Sequence, residues 1–165
     1  MKKINALSAA LVSAAVAASA LVTAVPANAA ASDNSAGVSI PPNVVVDDGF
    51  DPNGEVVVVG DDPGTLSGDC KDRAFAVVAV MSESLNGCSV IGWNASAQAT
   101  YKWYKHQGNA NPCIWGKSFN SKHAPTWTAL DCGTGRTKNV PWGNVAGTKK
   151  MKGLTGAGWA GVQWQ

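Results

Sequence analysis

The chain has 165 residues, 45% hydrophobic and 15% charged, with a formal net charge of +2. That balance excludes a disordered polyelectrolyte, which carries too much charge and too little apolar surface to bury a core. Eighteen glycines and seven tryptophans instead point to a turn-rich chain with large side chains available for a core.

Met1-Lys2-Lys3 leads into an uncharged Ala-, Val- and Leu-rich run from Ile4 to Val25, closed by Pro26 and Ala27-Asn28-Ala29. A basic start, an apolar centre and small residues in A-x-A spacing predict a signal peptide over residues 1–29, cleaved near Ala29, and hence a secreted protein. The competing reading is an uncleaved membrane anchor, since about 20 apolar residues span a bilayer. The Ala-rich run and the cleavage pattern favour removal, after which no apolar span long enough for a transmembrane anchor remains.

Residues 30–69 are predicted to be an acidic, largely disordered linker or tail, broken by Ser, Asp, Gly and Pro clusters. Two Val runs, Val44–Val46 and Val56–Val59, are expected to pair as a hairpin around the turn Asp51-Pro52-Asn53-Gly54.

From Cys70 onward strand signals recur between Gly, Pro and Asn turns. Ala74–Met81 reads as a buried strand, Cys88–Trp93 as the next, and Thr100–His106 alternates clearly. Cys113–Phe119 and Thr126–Cys132 follow, then Asn139–Trp142 and Trp159–Trp164. No segment of the region shows a long helical period. The expected fold class is therefore all-β, a small antiparallel β-sandwich or barrel over residues 70–165.

Cys70, Cys88, Cys113 and Cys132 form an even set in an exported chain, which reads as two disulfides. None lies in a C-x-x-C pair, so no metal site is expected. Pairing Cys113 with Cys132 across a hairpin puts Trp115 opposite Leu130 and Phe119 opposite Thr126, with the disulfide, on the expected core face. It leaves Cys70 to pair with Cys88. This is one of three connectivities open to four cysteines.

The small net charge hides a division. Residues 30–87 carry ten acidic and two basic side chains, whereas residues 88–165 carry nine basic side chains, one acid and all seven tryptophans. A basic, aromatic region suits anionic partners. In the hairpin register Trp127 falls on the face away from the disulfide, near Lys122 and His123. There it would stack on a sugar ring or base while a cation holds an anion, unless a second sheet covers it. Tyr101 and Trp103, with Lys105, form a second candidate stacking stripe. Lys149-Lys150-Met151-Lys152 reads as protection of an exposed strand edge.

Nothing assembles a catalytic set. The region from Cys70 holds only Asp72, Glu83 and Asp131 as carboxylates, and His106 and His123 lack a nucleophile motif. No cofactor fingerprint is present. The segments Cys113-Ile-Trp-Gly-Lys-Ser-Phe-Asn120, Trp127-Thr-Ala-Leu-Asp-Cys132-Gly133 and Val140-Pro-Trp-Gly-Asn-Val145 resemble a pattern in small exported actinobacterial proteins with paired cysteines. The resemblance covers about the last half of the chain, implies export and a stapled β-domain, and implies no catalytic residue.

Together these features predict a secreted, non-catalytic β-module that binds an anionic or carbohydrate polymer at the cell surface. The alternative is a secreted antagonist, an antibacterial protein or protease inhibitor, with the acidic segment as a pro-region.

Overall fold

A computed structural model describes residues 38–60 and 70–165; the expected signal peptide lies outside them. The described residues contain twelve strands: β1 (Val45–Val46), β2 (Val56–Val59), β3 (Arg73–Val77), β4 (Ser82–Glu83), β5 (Ser89–Gly92), β6 (Gln98–Gly108), β7 (Cys113–Phe119), β8 (Pro125–Cys132), β9 (Gly135–Pro141), β10 (Val145–Thr148), β11 (Met151–Leu154) and β12 (Ala160–Trp164). They form three four-stranded sheets, β1-β10-β5-β2, β4-β11-β7-β8 and β3-β12-β6-β9. The all-β architecture and both disulfides, Cys70–Cys88 and Cys113–Cys132, follow the sequence reading. With no free cysteine among the described residues, the bridges indicate an oxidising environment.

The three sheets converge on one core. β6 supplies Ala99, Tyr101 and Trp103 from one face, and Trp142, Trp164, Ile114, Leu130 and Met151 pack with them. Phe119 meets Trp142 edge to face at 4.9 Å, and Tyr101 stacks on Trp164 at 6.1 Å. The Trp142 indole N–H is shared between the carbonyls of Val90 and Val145, which removes the penalty of burying it. Gly116 leaves room for Tyr101, since a Cβ there would lie 3.0 Å from the ring.

The expected Val hairpin does not form. β1 runs parallel to β10, and β2 runs parallel to β5, so the two Val runs occupy opposite edges of one sheet with two strands between them. The connection crosses the end of the central strands and is bonded there: the Ser89 hydroxyl donates to the Asp51 carbonyl and accepts from the Asp51 N–H. The physical reason is burial on both faces. Val57 and Val59 pack on the main core, whereas Val56 and Val58 pack with Val44, Phe50, Ile91 and Ala146 in a second cluster. A solitary hairpin would have left those side chains in water. An uninterrupted Val run is the signature of a strand covered on both faces. The two parallel pairs depart from the wholly antiparallel sheet expected. Residues 38–59 are thus built into the sheets rather than hanging free as a tail.

Two further expectations change. Ala74–Met81 is not one buried strand: β3 is a sheet edge, Val77 is fully buried, and Val78, Val80 and Met81 are exposed. The Cys113–Cys132 hairpin keeps its expected pairs only as far as Ile114 opposite Asp131. A bulge then shifts the register, so Trp115 faces Ala129 and Phe119 faces Pro125. The extra residue, Leu130, turns inward with Ile114, and residues 125–129 change sides relative to β7, so that Trp127 joins Trp115 and Lys117 on the outer side, which is not the core side expected for Trp115. Asp131 accommodates the bulge at φ 140°, its carboxylate accepting from the Cys132 N–H and from Arg136.

Candidate functional site

The outer face of the β4-β11-β7-β8 sheet gathers the aromatic and basic side chains that the core does not use. Alternation along β7 sends Ile114, Gly116 and Ser118 inward and leaves Trp115 and Lys117 outward and partly exposed. The ladder aligns Glu83, Lys152, Trp115 and Ala129 in one row across the four strands. In the next row Lys117 stands opposite Trp127. The Lys152 ammonium reaches across β7 and lies 4.5 Å above the Trp127 ring. At that distance the ring quadrupole attracts the cation, and both groups remain half-buried rather than covered.

Charge on the face is organised by two ion pairs. Lys150 contacts Glu83 at 2.6 Å, and Lys117 contacts Asp47 at 2.6 Å, the latter pair with only 15% and 13% of the side chains exposed. The hydrogen bond from Lys150 holds the Glu83 carboxyl below its ordinary value, aided by the charges of Lys150 and Lys152. Asp131, at the far margin, is also held low, first by the Cys132 N–H and then by Arg136. Lys152 makes no ion pair among the described residues, so its charge is available to an anion laid over Trp127 and Trp115.

The sequence-selected residues divide. Trp127 is half-buried on the outer face, but beside Trp115 and Lys117 rather than on the opposite side of the hairpin, and the cation over it is Lys152, not Lys122 or His123. The β7–β8 turn explains this: Asn120 accepts from the N–H groups of Lys122 and Ala124, and His123 adopts a left-handed φ of 61°. The His123 ring then bonds Asn144 at 2.9 Å, which ties the turn to the β9–β10 connection. Lys122 is left exposed on the turn.

Tyr101 and Trp103 are not a surface stripe, because both are buried. The Tyr101 hydroxyl donates to the Lys117 and Lys150 carbonyls, and burial pushes its titration upward. The basic cluster is likewise not edge protection, since β11 is an inner strand. Lys149 is buried, donating to the Thr100 carbonyl at 2.6 Å and lying 4.6 Å from the Tyr101 ring centre. Sequence reasoning missed Trp115 and Lys152. The alternation of β7 names its two faces, and the core covers that of Ile114, Gly116 and Ser118 rather than that of Trp115, while the β8 bulge that brings Trp127 to the side of Trp115 has no sequence mark such as Gly.

A separate cavity of about 400 Å3 opens between β2 and β6, walled by Val57, Val59, Cys70, Thr100, Lys102 and Lys149, among others. Among the described residues no three His, Cys, Asp or Glu side chains gather as a metal site. No family model, curated protein or solved structure matches the chain. The fold therefore defines an all-β, disulfide-bonded domain, and its most differentiated surface is an aromatic and cationic sheet face.

Proposed function

We propose that this is a secreted, non-catalytic β-module that binds an acidic polysaccharide at the cell surface through the outer face of the β4-β11-β7-β8 sheet. The observation that carries the reading is the Lys152 ammonium seated above Trp127, one ladder row from Trp115. Indole rings offer apolar faces to sugar C–H groups, and an adjacent ammonium meets a carboxylate or sulfate on the same polymer. The division of charge supports it, since residues 88–165 carry nine cations against one acid. Cleavage of residues 1–29 near Ala29 supplies the route to the surface, and the resemblance to small exported proteins fits the same placement. The antagonist reading is less favoured. Loss of the acidic segment as a pro-region would strip β1 and β2 from the edges of their sheet.

The test is binding of the purified protein to a polyuronate, a neutral glucan and duplex DNA at low salt. The polyuronate is expected to bind best. Trp127→Ala and Lys152→Gln are each expected to weaken it about 5- to 30-fold, the equivalent of roughly 1–2 kcal/mol. Equal binding by the variants, or no retention on the polyuronate, would sink the reading.

A further inference from the structure

A second surface lies along one margin of the molecule. β3 and β4 are edge strands of two different sheets, and the turn between them is apolar: Val78, Ala79, Val80 and Met81. Soluble domains normally place charge or Pro at such edges. Here Val80 is 69% exposed, Met81 47% and Leu85, just beyond β4, 88%. Trp159 is also exposed. It sits one residue before Ala160, which pairs with Val77, so it lies beside Val78 at the same end of the ladder. The turn is held at its base, with the Thr155 N–H bonded to the Val78 carbonyl and the Ser82 hydroxyl to the Val80 carbonyl. Its side chains are presented to solvent by a fixed backbone.

The surroundings decide what would cover this ridge. Lys152 of β11 stands opposite Glu83 of β4, and Lys150, one residue before β11, neutralises Glu83. From Ala74 to Gln165 the chain has nine cations and only two acids, Glu83 and Asp131, and both acids are ion-paired. An apolar ridge with a Trp at its margin and lysines set back from it matches a bilayer interface: aliphatic groups enter the acyl boundary, the indole lies at headgroup depth and the ammonium groups meet anionic headgroups. We propose that Val78, Val80, Met81, Leu85 and Trp159 form a membrane-contact edge that seats the domain on anionic lipid. The apolar edge is separate from Trp127 and Trp115, and Lys152 stands between the two surfaces, with the lipid along one margin and the polymer across the adjoining face.

The experiment is sedimentation of the full mature chain with vesicles of phosphatidylcholine alone or with phosphatidylglycerol added. Association is expected with the anionic vesicles only, weakening with salt. Each lysine near the surface contributes about fivefold to partitioning, and each inserted aliphatic side chain about tenfold or more. Val80→Asp with Leu85→Asp is expected to abolish sedimentation. Both sites are exposed, so circular dichroism should stay unchanged, and polyuronate binding should persist. Trp127→Ala is expected to sediment like the parent. Parent-like sedimentation of the double variant would overturn the proposal, because binding would then be electrostatic alone. So would absence of binding to anionic vesicles. A dimer in sedimentation velocity that the double variant dissolves would also overturn it, by assigning the edge to a second copy of the chain.

Discussion

Replacement of Asp47 by Asn tests whether residues 38–59 are structurally part of the domain. The Asp47 carboxylate accepts the Lys117 ammonium at 2.6 Å and the Gly49 N–H at 3.2 Å, and about six-sevenths of each charged side chain is out of water. Asn keeps the size and can still accept from Gly49, so the change isolates the charge. Exposed pairs contribute roughly 0–1 kcal/mol. Breaking a fully buried pair costs about 3–5 kcal/mol, because the surviving charge is stranded. This pair lies between those limits, which gives a loss of about 2 kcal/mol and a fall in Tm of roughly 6–12 °C. Chemical denaturation of the Asp47→Asn and Lys117→Gln variants and of the double variant yields the coupling. A coupling near 1–2 kcal/mol, with the double variant no worse than the sum of the singles, is expected. A coupling below about 0.3 kcal/mol would refute the docking of the segment after β1 on Lys117 of β7.

Other outcomes follow from the core. Burial raises the titration of Tyr101, so the native state favours its neutral form. That stabilisation is complete below the unfolded-state value, about pH 10, and is lost as pH rises from there toward the higher native value. Tyr101→Phe should therefore flatten the fall in stability above about pH 10. It should also cost about 1 kcal/mol at neutral pH for the lost hydroxyl bonds. An alkaline limb identical to the parent's would assign the pH dependence elsewhere. Gly92→Ala would bring a Cβ to 1.7 Å from the Gly143 carbonyl oxygen, backbone that cannot yield cheaply. A loss of about 3 kcal/mol or more is expected, or failure to fold. Gly156→Ala meets nothing within 4 Å and serves as the neutral control.

Much of the architecture is local in origin and legible in the residues. The alternation of Thr100–His106 is strand β6, and two cysteines spaced to face each other across a hairpin are bridged as β7 and β8 place them. Strand class, turn positions and the pairing of near neighbours depend on side-chain period and turn chemistry, which the chain carries within a few residues. The candidate face was only partly visible for the same reason. The unbroken Cys113–Cys132 register sets Trp127 on the side away from Trp115, whereas the bulge brings the two together, and the cation over Trp127 comes from β11, beyond two further strands in the sequence.

Two features were decided only when distant strands met. The Val runs join β10 and β5 in parallel because that buries both of their faces, a gain no local hairpin offers. The bulge turns Leu130 into a core filled by Tyr101, Trp103 and Trp142, and by shifting one register position it carries Trp127 to the side of Trp115 and Lys117. The sequence by itself determined that this is an all-β chain stapled twice, with charge divided between its ends. The tertiary packing determined which faces are covered, and therefore which tryptophans and lysines remain for a partner. Period-2 alternation names two faces of a strand but not the one that another sheet will bury.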